Sequence, residues 1–195
     1  MMKYFDRNLE IIKNSLDSLD EKSFEILINE CCNVVKNNGK IIFSGLGKNV
    51  PICEKIVGTL NSLGIQANFL HTNTAMHGDL GMICDNDLVV ILSKSGNTSE
   101  TIILANQLLN RKASIWGITF SDESKLSKIL DKSLSLKLEE EGDKWNIVPN
   151  NSSSIYLILL QCLALQLADR LNITLSDFKI NHPGGAIGEI LKNEK

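Results

Sequence analysis

The spacing of apolar residues changes at Gly39. Before it, apolar positions recur at helical intervals over residues 4–38, which predicts two helices. After it, short β-branched and aromatic runs alternate with stretches of helical spacing. The runs predict strands at Lys40–Ser44, Gln66–Leu70, Asp87–Leu92, Ser114–Thr119 and Ser133–Leu138. The other stretches predict helices at Lys48–Leu63, Ser99–Asn110, Leu126–Leu130, Ser152–Leu171 and Ser176–Ile180.

Strands that alternate with helices form a parallel sheet covered on both faces. The predicted fold class is therefore α/β, a three-layer α/β/α sandwich with a five-stranded parallel sheet preceded by N-terminal helices. No repeat or linker interrupts residues 1–195, so we predict one domain. Residues 1–38 would form the N-terminal helices, and residues 39–195 the sheet core with the C-terminal helix and tail.

Composition narrows the function classes. The net charge is −3, so no basic stripe is available for a nucleic-acid partner. Apolar runs such as Ile155–Leu160 stop short of a bilayer-spanning length, and residues 1–8 have no signal-peptide core, which predicts a cytoplasmic protein without a membrane partner. Five cysteines without a C-x-x-C pair fit neither a disulfide framework nor a zinc ribbon. We predict no metal and no cofactor.

The segment Leu92–Glu100, Leu-Ser-Lys-Ser-Gly-Asn-Thr-Ser-Glu, connects a predicted strand to a helix. Hydroxyl groups beside the unpaired amides of a helix start suit a phosphate, whose charge the helix dipole favours. The residues that would bind the phosphate are Ser93, Ser95, Gly96 and Thr98. An ordinary capped helix is an equal alternative, with Asn97 as the N-cap and Glu100 closing a capping box.

A second strand-to-helix junction is Ser44–Lys48, Ser-Gly-Leu-Gly-Lys. It does not match the dinucleotide fingerprint, because Val50 replaces the third glycine. It does not match the P-loop either, because Ile42 replaces the first glycine. A tight turn with a solvated lysine would explain this segment taken alone. However, the helix dipole disfavours a cation at a helix start, and an anion bound beside Lys48 and Ser44 would remove that objection.

The start of the long helix, Asn150–Ser154, is a third candidate. Ser152 and Ser153 could donate to a ligand at the same edge of the sheet, although ordinary capping is the favoured alternative. The preceding run Glu139–Glu141 is typical of a solvated loop, in which one carboxylate at most would have a role.

Two of the three histidines stand in glycine-containing turns. His77 lies in Met-His-Gly-Asp-Leu-Gly, and His182 lies in Asn-His-Pro-Gly-Gly. Polar residues in turns are more often functional than polar residues in a core. His71 directly follows an apolar strand, and we predict a structural part for it.

Together these segments resemble a SIS (sugar isomerase) domain, specifically the SIS portion of arabinose-5-phosphate isomerases, from about Gly39 to Leu191. The matching motifs are Gly-Leu-Gly-Lys, His-Gly-Asp-Leu-Gly-Met, Ser-Lys-Ser-Gly-Asn-Thr-Ser-Glu, Pro-Asn-Asn-Ser-Ser and His-Pro-Gly-Gly-Ala-Ile-Gly. The serine-rich loop marks any SIS domain, whereas His-Gly-Asp-Leu-Gly combined with His-Pro-Gly-Gly points to the arabinose-5-phosphate branch. The resemblance implies a flavodoxin-like fold. The residues that this family uses for activity fall by motif on Lys48, Glu100, Glu141 and His182.

The chain departs from the family pattern at two places. Asn49-Val50-Pro51 stands where Ser-Gly-His is usual, and Asn97 stands where Glu is usual, so the preference among aldose phosphates is open. Larger family members continue into a pair of CBS regulatory modules, and we expect this chain to be a catalytic core without them.

The resemblance implies interconversion of D-arabinose 5-phosphate and D-ribulose 5-phosphate through an enediolate. Proton transfer would go to Glu141 or Glu100, Lys48 would stabilise charge or anchor the substrate, and the two turn histidines would serve ring opening and hydroxyl proton transfer. A homotetramer, or at least a dimer, with a site shared between subunits is expected. The product would supply synthesis of Kdo (3-deoxy-D-manno-octulosonate) for lipopolysaccharide or capsule, with CMP-Kdo a candidate feedback ligand.

Two alternatives stay open. One is an isomerase of the same fold that acts on sedoheptulose 7-phosphate or hexulose 6-phosphate. The other is a non-catalytic sensor that binds a sugar phosphate. SIS sensors commonly carry a helix-turn-helix module, and the N-terminal helices here have no basic recognition face.

Overall fold

The computed structural model describes residues 2–192 and contains one five-stranded sheet. All the strand pairs are parallel, in the order β2-β1-β3-β4-β5. This confirms the predicted parallel sheet of five strands. The strands are β1 (Ile41–Gly45), β2 (Ala67–His71), β3 (Leu88–Leu92), β4 (Ser114–Thr119) and β5 (Ser133–Ser135).

Helices connect and flank the strands as the spacing predicts. They are α1 (Met2–Asp17), α2 (Glu21–Lys36), α3 (Asn49–Ser62), α4 (Ser99–Leu108), α5 (Lys125–Ile129), α6 (Asn151–Arg170), α7 (Leu175–Ile180) and α8 (Gly185–Lys192). Two 3₁₀ helices, Thr74–His77 and Asp79–Met82, follow β2. The spacing predicts neither them nor α8, because each is short and lies in a glycine-containing segment whose local signals indicate turns.

Alternate residues of the strands point to opposite faces of the sheet, and each face has its own helical layer. Ile41 and Phe43 of β1 lie in one buried cluster with residues of α2, α3 and α6. Ile42, between them, lies in a second cluster with residues of α4 and α5. Two apolar clusters on opposite faces of one sheet confirm the predicted three-layer sandwich.

Helix α6 is the central helix of one layer. Its 20 residues are apolar enough to cross a bilayer by length and composition, so the expectation that every apolar run falls short of that limit is wrong. Half of the helix is buried inside the protein, where it contacts α1, α2 and α3. The buried Tyr156 hydroxyl donates to the Ile118 carbonyl of β4 at 2.9 Å. These contacts are those of a core helix.

The strand order places a topological switch point between β1 and β3. The chain leaves β1 toward β2 on one side and leaves β3 toward β4 on the other, so the two connections diverge at the carboxyl edge. Gly45 pairs with Leu92 at the ends of these strands. Ligands of open parallel sheets bind in the crevice that such a divergence opens.

Candidate active site

A cavity of about 330 Å³ opens at this switch point. Its walls come from the loop after β1, the end of β3, the start of α4 and the start of α6. The lining includes five of the residues predicted from sequence: Lys48, Ser93, Ser95, Thr98 and Ser152. Three separate motifs of the sequence therefore meet in one place.

The loop after β1 is held against the end of β3. The Asn49 side-chain amide donates to the Leu92 carbonyl at 3.2 Å. A Cβ on Gly45 would lie 2.8 Å from the Asn49 Cβ, so a residue with a side chain at position 45 would push α3 away. The loop turns through Gly47, whose φ of +61° is in the left-handed region. This geometry places the exposed Lys48 at the N-cap of α3, on the rim of the cavity.

Helix α4 begins at the cavity without a side-chain cap. Thr98 is its N-cap residue, and no side-chain capping hydrogen bond is made there. The Asn97 side chain instead donates to the Ser95 carbonyl at 3.0 Å and accepts from the Lys125 amide at 3.0 Å. The proposed capping box of Asn97 and Glu100 is therefore wrong. This removes the ordinary capped helix as an explanation of the serine-rich segment.

Gly96 gives that segment its shape. Its φ is +61°, and a Cβ there would lie 2.3 Å from the Ser124 hydroxyl oxygen, closer than atoms approach. Its carbonyl accepts from the Leu126 amide at 2.9 Å, which ties the turn to α5. A glycine is thus required both for the backbone conformation and for the packing.

Glu141 lies at the end of the acidic run, and its side chain is 1% exposed. Its Oε1 accepts from Lys94 Nζ at 2.8 Å and from Ser152 Oγ at 2.6 Å. Its Oε2 accepts from the amides of Asn150 at 3.0 Å and Ser152 at 2.9 Å. Burial by itself would raise the pKa of Glu141, but these hydrogen bonds, that from Lys94 foremost, lower the pKa below its ordinary value. The carboxylate is ionised and caps α6.

The other two members of the acidic run behave as a surface loop would. Glu139 and Glu140 form ion pairs with Arg7 of α1, and the three side chains are between 37% and 52% exposed. Glu141 is thus the one carboxylate of the run that contacts residues of the cavity lining, Lys94 and Ser152.

Three hydroxyls predicted to bind phosphate are engaged elsewhere. The amide and the hydroxyl of Ser152 both donate to Glu141, so neither is left to donate to a phosphate. The Ser153 hydroxyl donates to the Pro149 carbonyl at 3.3 Å, and Ser153 does not line the cavity. Ser44 is fully buried in β1 and shares a hydrogen bond of 3.1 Å with the Thr72 hydroxyl. In this structure these three hydroxyls have protein partners, and their part in phosphate binding stays a prediction.

Glu100 and His77 lie at the same edge of the sheet as the cavity, outside its lining. Glu100 is exposed in the first turn of α4, and its Oε2 accepts from the Ser99 hydroxyl at 2.8 Å. A hydrogen bond from its own amide, and then that from Ser99, lower the pKa of Glu100. His77 is exposed at the end of the first 3₁₀ helix, directly after β2.

His182 lies at the opposite edge of the sheet within the same chain. Its neighbour Asn181 donates to the carbonyl of Ser62, the last residue of α3, at 3.3 Å. His182 Nδ1 lies 2.8 Å from the Phe178 carbonyl oxygen, and the two rings stack at 3.9 Å between centroids. Because a carbonyl only accepts, Nδ1 carries the hydrogen, and Nε2 of the neutral ring keeps a lone pair.

Sequence reasoning missed one charged residue of the cavity. Lys94 lines it and forms the ion pair with Glu141, although it stands inside the serine-rich motif. The sequence did carry a signal for this residue, because Lys94 is a cation between two serines of a strand-to-helix loop. The prediction for that loop considered only its hydroxyls and amides. His71 is as expected, since its Nδ1 accepts from the Asn73 amide at 3.3 Å in the turn after β2.

Two curated proteins are similar to this chain over most of its length. The chain is 31% identical over 185 residues to arabinose 5-phosphate isomerase KdsD of Pseudomonas aeruginosa, covering 95% of this chain and 57% of that protein. It is 35% identical over 188 residues to the KdsD of Francisella tularensis, covering 95% and 56%. The chain thus spans somewhat more than half the length of these curated relatives.

A solved structure is similar to this chain in both sequence and fold. The Escherichia coli CFT073 protein c3406, in complex with arabinose 5-phosphate, is 32% identical and superposes with a TM-score of 0.84 over 93% of this chain and 95% of that one. Residues 35–168 match the family model of the SIS domain, which is more than half of the chain. The chain belongs to the SIS domain family.

Proposed function

We propose that the protein is an aldose–ketose isomerase that interconverts D-arabinose 5-phosphate and D-ribulose 5-phosphate. The observation that carries the proposal is the cavity at the switch point. It combines two lysines, five hydroxyl-bearing residues and an α-helix start without a side-chain cap. The similarity to KdsD proteins, and to a protein that binds arabinose 5-phosphate, supports this choice of substrate.

The phosphate would dock at the start of α4. Ser93, Ser95 and Thr98 face the cavity there, and the helix dipole favours an anion at this end. The left-handed turn at Gly96 leads the chain from Ser95 toward the start of α4. Lys48 supports this placement, because a cation at the start of α3 is disfavoured unless an anion is bound nearby.

The reaction moves a proton between C2 and C1 of the open-chain sugar. A positioned acid–base group contributes roughly 10²–10⁴-fold to such a step. Glu100 is the carboxylate suited to it, since its side chain is exposed in the first turn of α4, two residues after Thr98. A phosphate dianion bound at the same helix start would raise the pKa of Glu100 by charge repulsion, toward the range of an effective base.

The remaining predicted residues would complete the site. Lys48 would anchor the substrate through its phosphate, and His77 would transfer a hydroxyl proton during ring opening. His182 would also transfer a hydroxyl proton, through its Nε2 atom. Because His182 lies at the far edge of its own chain, its participation requires a neighbouring subunit. We propose a homotetramer in which each site takes Lys48 from one subunit and His182 from another.

Complementation tests the shared site. Lys48→Ala and His182→Ala should each lose most turnover, whereas oligomers reassembled from an equal mixture of the two should regain about a quarter of wild-type turnover, because one site in four then receives both intact residues. The measurement is ketose formation before and after reassembly from denaturant. The double variant, reassembled alone, is the control. Mixed oligomers that stay inactive would contradict the shared site.

We place this activity in the cytoplasm, with arabinose 5-phosphate directed to Kdo synthesis for lipopolysaccharide or capsule. The similarity to KdsD proteins supports this pathway. CMP-Kdo is a candidate feedback ligand, and its effect would be seen as inhibition at fixed substrate.

Turnover on a panel of sugar phosphates tests the function itself. We expect ribulose 5-phosphate to form from arabinose 5-phosphate with a kcat/KM at least tenfold above those for sedoheptulose 7-phosphate and hexulose 6-phosphate, since about 1.4 kcal/mol of differential transition-state binding suffices for that ratio. Preference for a heptose or hexose phosphate would change the substrate and keep the reaction type. Binding of sugar phosphate without turnover of any would identify a sensor instead.

A further inference from the structure

We infer that Lys94 contacts the substrate at its sugar end, where it donates to the oxygen that becomes negatively charged in the enediolate, and that Glu141 is the residue that positions it. The inference rests on the proposed isomerase function and adds a residue to that site. It also assigns Glu141 a role other than proton transfer.

The geometry shows that Lys94 has donors to offer. Its Nζ lies 2.8 Å from Glu141 Oε1, and an ammonium group carries three hydrogens, of which this bond uses one. The Lys94 side chain is 40% exposed and lines the cavity, so the ammonium group is open to a ligand there. The ion pair fixes where the group stands.

Glu141 has little capacity left for a second task. A carboxylate offers about four acceptor positions. In this structure four donors fill them: Lys94, the Ser152 hydroxyl, and the amides of Asn150 and Ser152. Three of those donors belong to the start of α6, which anchors the carboxylate to a rigid element. An anchored and saturated carboxylate orients its partner, whereas a base needs an oxygen directed at the substrate.

The same contacts separate Lys94 from the phosphate. Glu141 already occupies the start of α6, because it takes the amides of Asn150 and Ser152. The start of α4 lacks a side-chain cap, so a phosphate docks there. Lys94 Nζ is held by Glu141, which sits at the start of α6, a different helix start from the one assigned to the phosphate. A sugar extending from the phosphate across the cavity would bring its carbonyl end toward Lys94.

The charge balance supports a role at the sugar end. The Lys94–Glu141 pair is neutral as a unit, so it adds little long-range attraction for a dianion. Its remaining N–H donors act at short range, on an oxygen placed against them. Removing a donor aimed at a developing oxyanion slows reactions by roughly 10²–10³-fold.

Lys94→Met tests the inference, since methionine keeps an unbranched chain and removes the ammonium group. We expect kcat to fall by roughly 10²–10³-fold, while the inhibition constant of inorganic phosphate changes by less than about twofold. Lys94→Arg should restore a large part of the turnover, because it returns a donor that Glu141 can hold. The matched control is Lys112→Met, since Lys112 pairs with Asp85 and is 82% exposed.

A binding measurement makes the test independent of turnover. The probe is 5-phospho-D-arabinonate, an aldonate whose C1 carboxylate resembles the charge of the enediolate. Its affinity should fall about 10- to 100-fold in Lys94→Met, as expected for a lost hydrogen bond to a charged group, while the affinity for inorganic phosphate stays unchanged. A wild-type protein that binds the aldonate and isomerises no sugar would refute the proposed function and leave this prediction testable.

A double variant tests whether Glu141 acts through Lys94, without leaving one charge of the pair unpartnered. Lys94→Met combined with Glu141→Gln removes both charges of the pair. If Glu141 acts by positioning Lys94, the double variant should turn over no more slowly than Lys94→Met alone. A further loss of about tenfold or more would show that Glu141 acts independently and would overturn its positioning role. Two results for Lys94→Met would overturn the contact with the sugar. One is an unchanged kcat. The other is an inhibition constant of inorganic phosphate that rises by the same factor as KM.

Discussion

Glu100→Gln should reduce kcat by roughly 10²–10⁴-fold, the contribution of a positioned acid–base group. The amide keeps the size and the hydrogen-bonding reach of the side chain and removes its basicity. Because Glu100 is exposed, the free energy of unfolding should change by no more than about 0.5 kcal/mol. Turnover of arabinose 5-phosphate and urea unfolding together make the measurement, and they separate a chemical defect from a folding defect.

Glu21→Gln is the matched control for that variant. Glu21 is also an exposed carboxylate in the first turn of a helix, so its replacement removes the same interaction with a helix dipole. We expect it to leave turnover unchanged. Turnover within about threefold of wild type in Glu100→Gln would remove Glu100 as the base. The acid–base role at this edge would then pass to His77.

Periodicity predicted the architecture because burial acts on every strand and helix in the same way. The alternation of Ile41, Ile42 and Phe43 between two apolar clusters is what a strand covered on both faces requires. The length of the apolar stretch correctly predicted that α6 is a helix. The expectation that no apolar run reaches a bilayer-spanning length underestimated the hydrophobicity of this helix. An all-round apolar helix is expected wherever a helix is packed among other helices against a sheet.

Local sequence predicted a phosphate-binding segment at Leu92–Glu100 and left its chemistry undecided. The same letters at Asn97 and Glu100 suit a capping box and a ligand site equally. The choice between them depends on Lys125, which is distant in sequence and takes the Asn97 side chain as its acceptor. A contact of this kind is a product of the tertiary fold and has no signal in the segment itself.

The acidic run Glu139–Glu141 shows even more strongly that local sequence does not reveal contacts made by the tertiary fold. Glu139, Glu140 and Glu141 are identical letters with different environments, two paired on the surface and one buried. Their difference arises from the turn that brings Glu141 back to the start of α6, nine to eleven residues later in the chain. Ser152 looked like a donor for phosphate for the same reason, since its partner could not be seen in the sequence.

Glu141→Gln should lower the free energy of unfolding by about 3 kcal/mol at pH 7, near the lower end of the cost of breaking a buried ion pair, because Lys94 is partly exposed. It should also reduce turnover, with binding of inorganic phosphate retained. The control is Glu140→Gln, which removes a surface ion pair of Arg7 and should cost no more than about 1 kcal/mol.

The pH dependence of the difference in unfolding free energy between wild type and Glu141→Gln identifies the cause of that difference. The hydrogen bonds to Glu141 lower its pKa in the folded state, so the carboxylate stabilises the protein above its unfolded pKa of about 4.3, and this stability is lost as the pH falls through the folded value. The other carboxylates titrate in both proteins and cancel in the comparison. The gap between wild type and Glu141→Gln in urea unfolding should therefore be full at pH 7 and shrink progressively below about pH 4. A gap that stays constant down to pH 3 would show that the cost comes from packing rather than from the charge of Glu141.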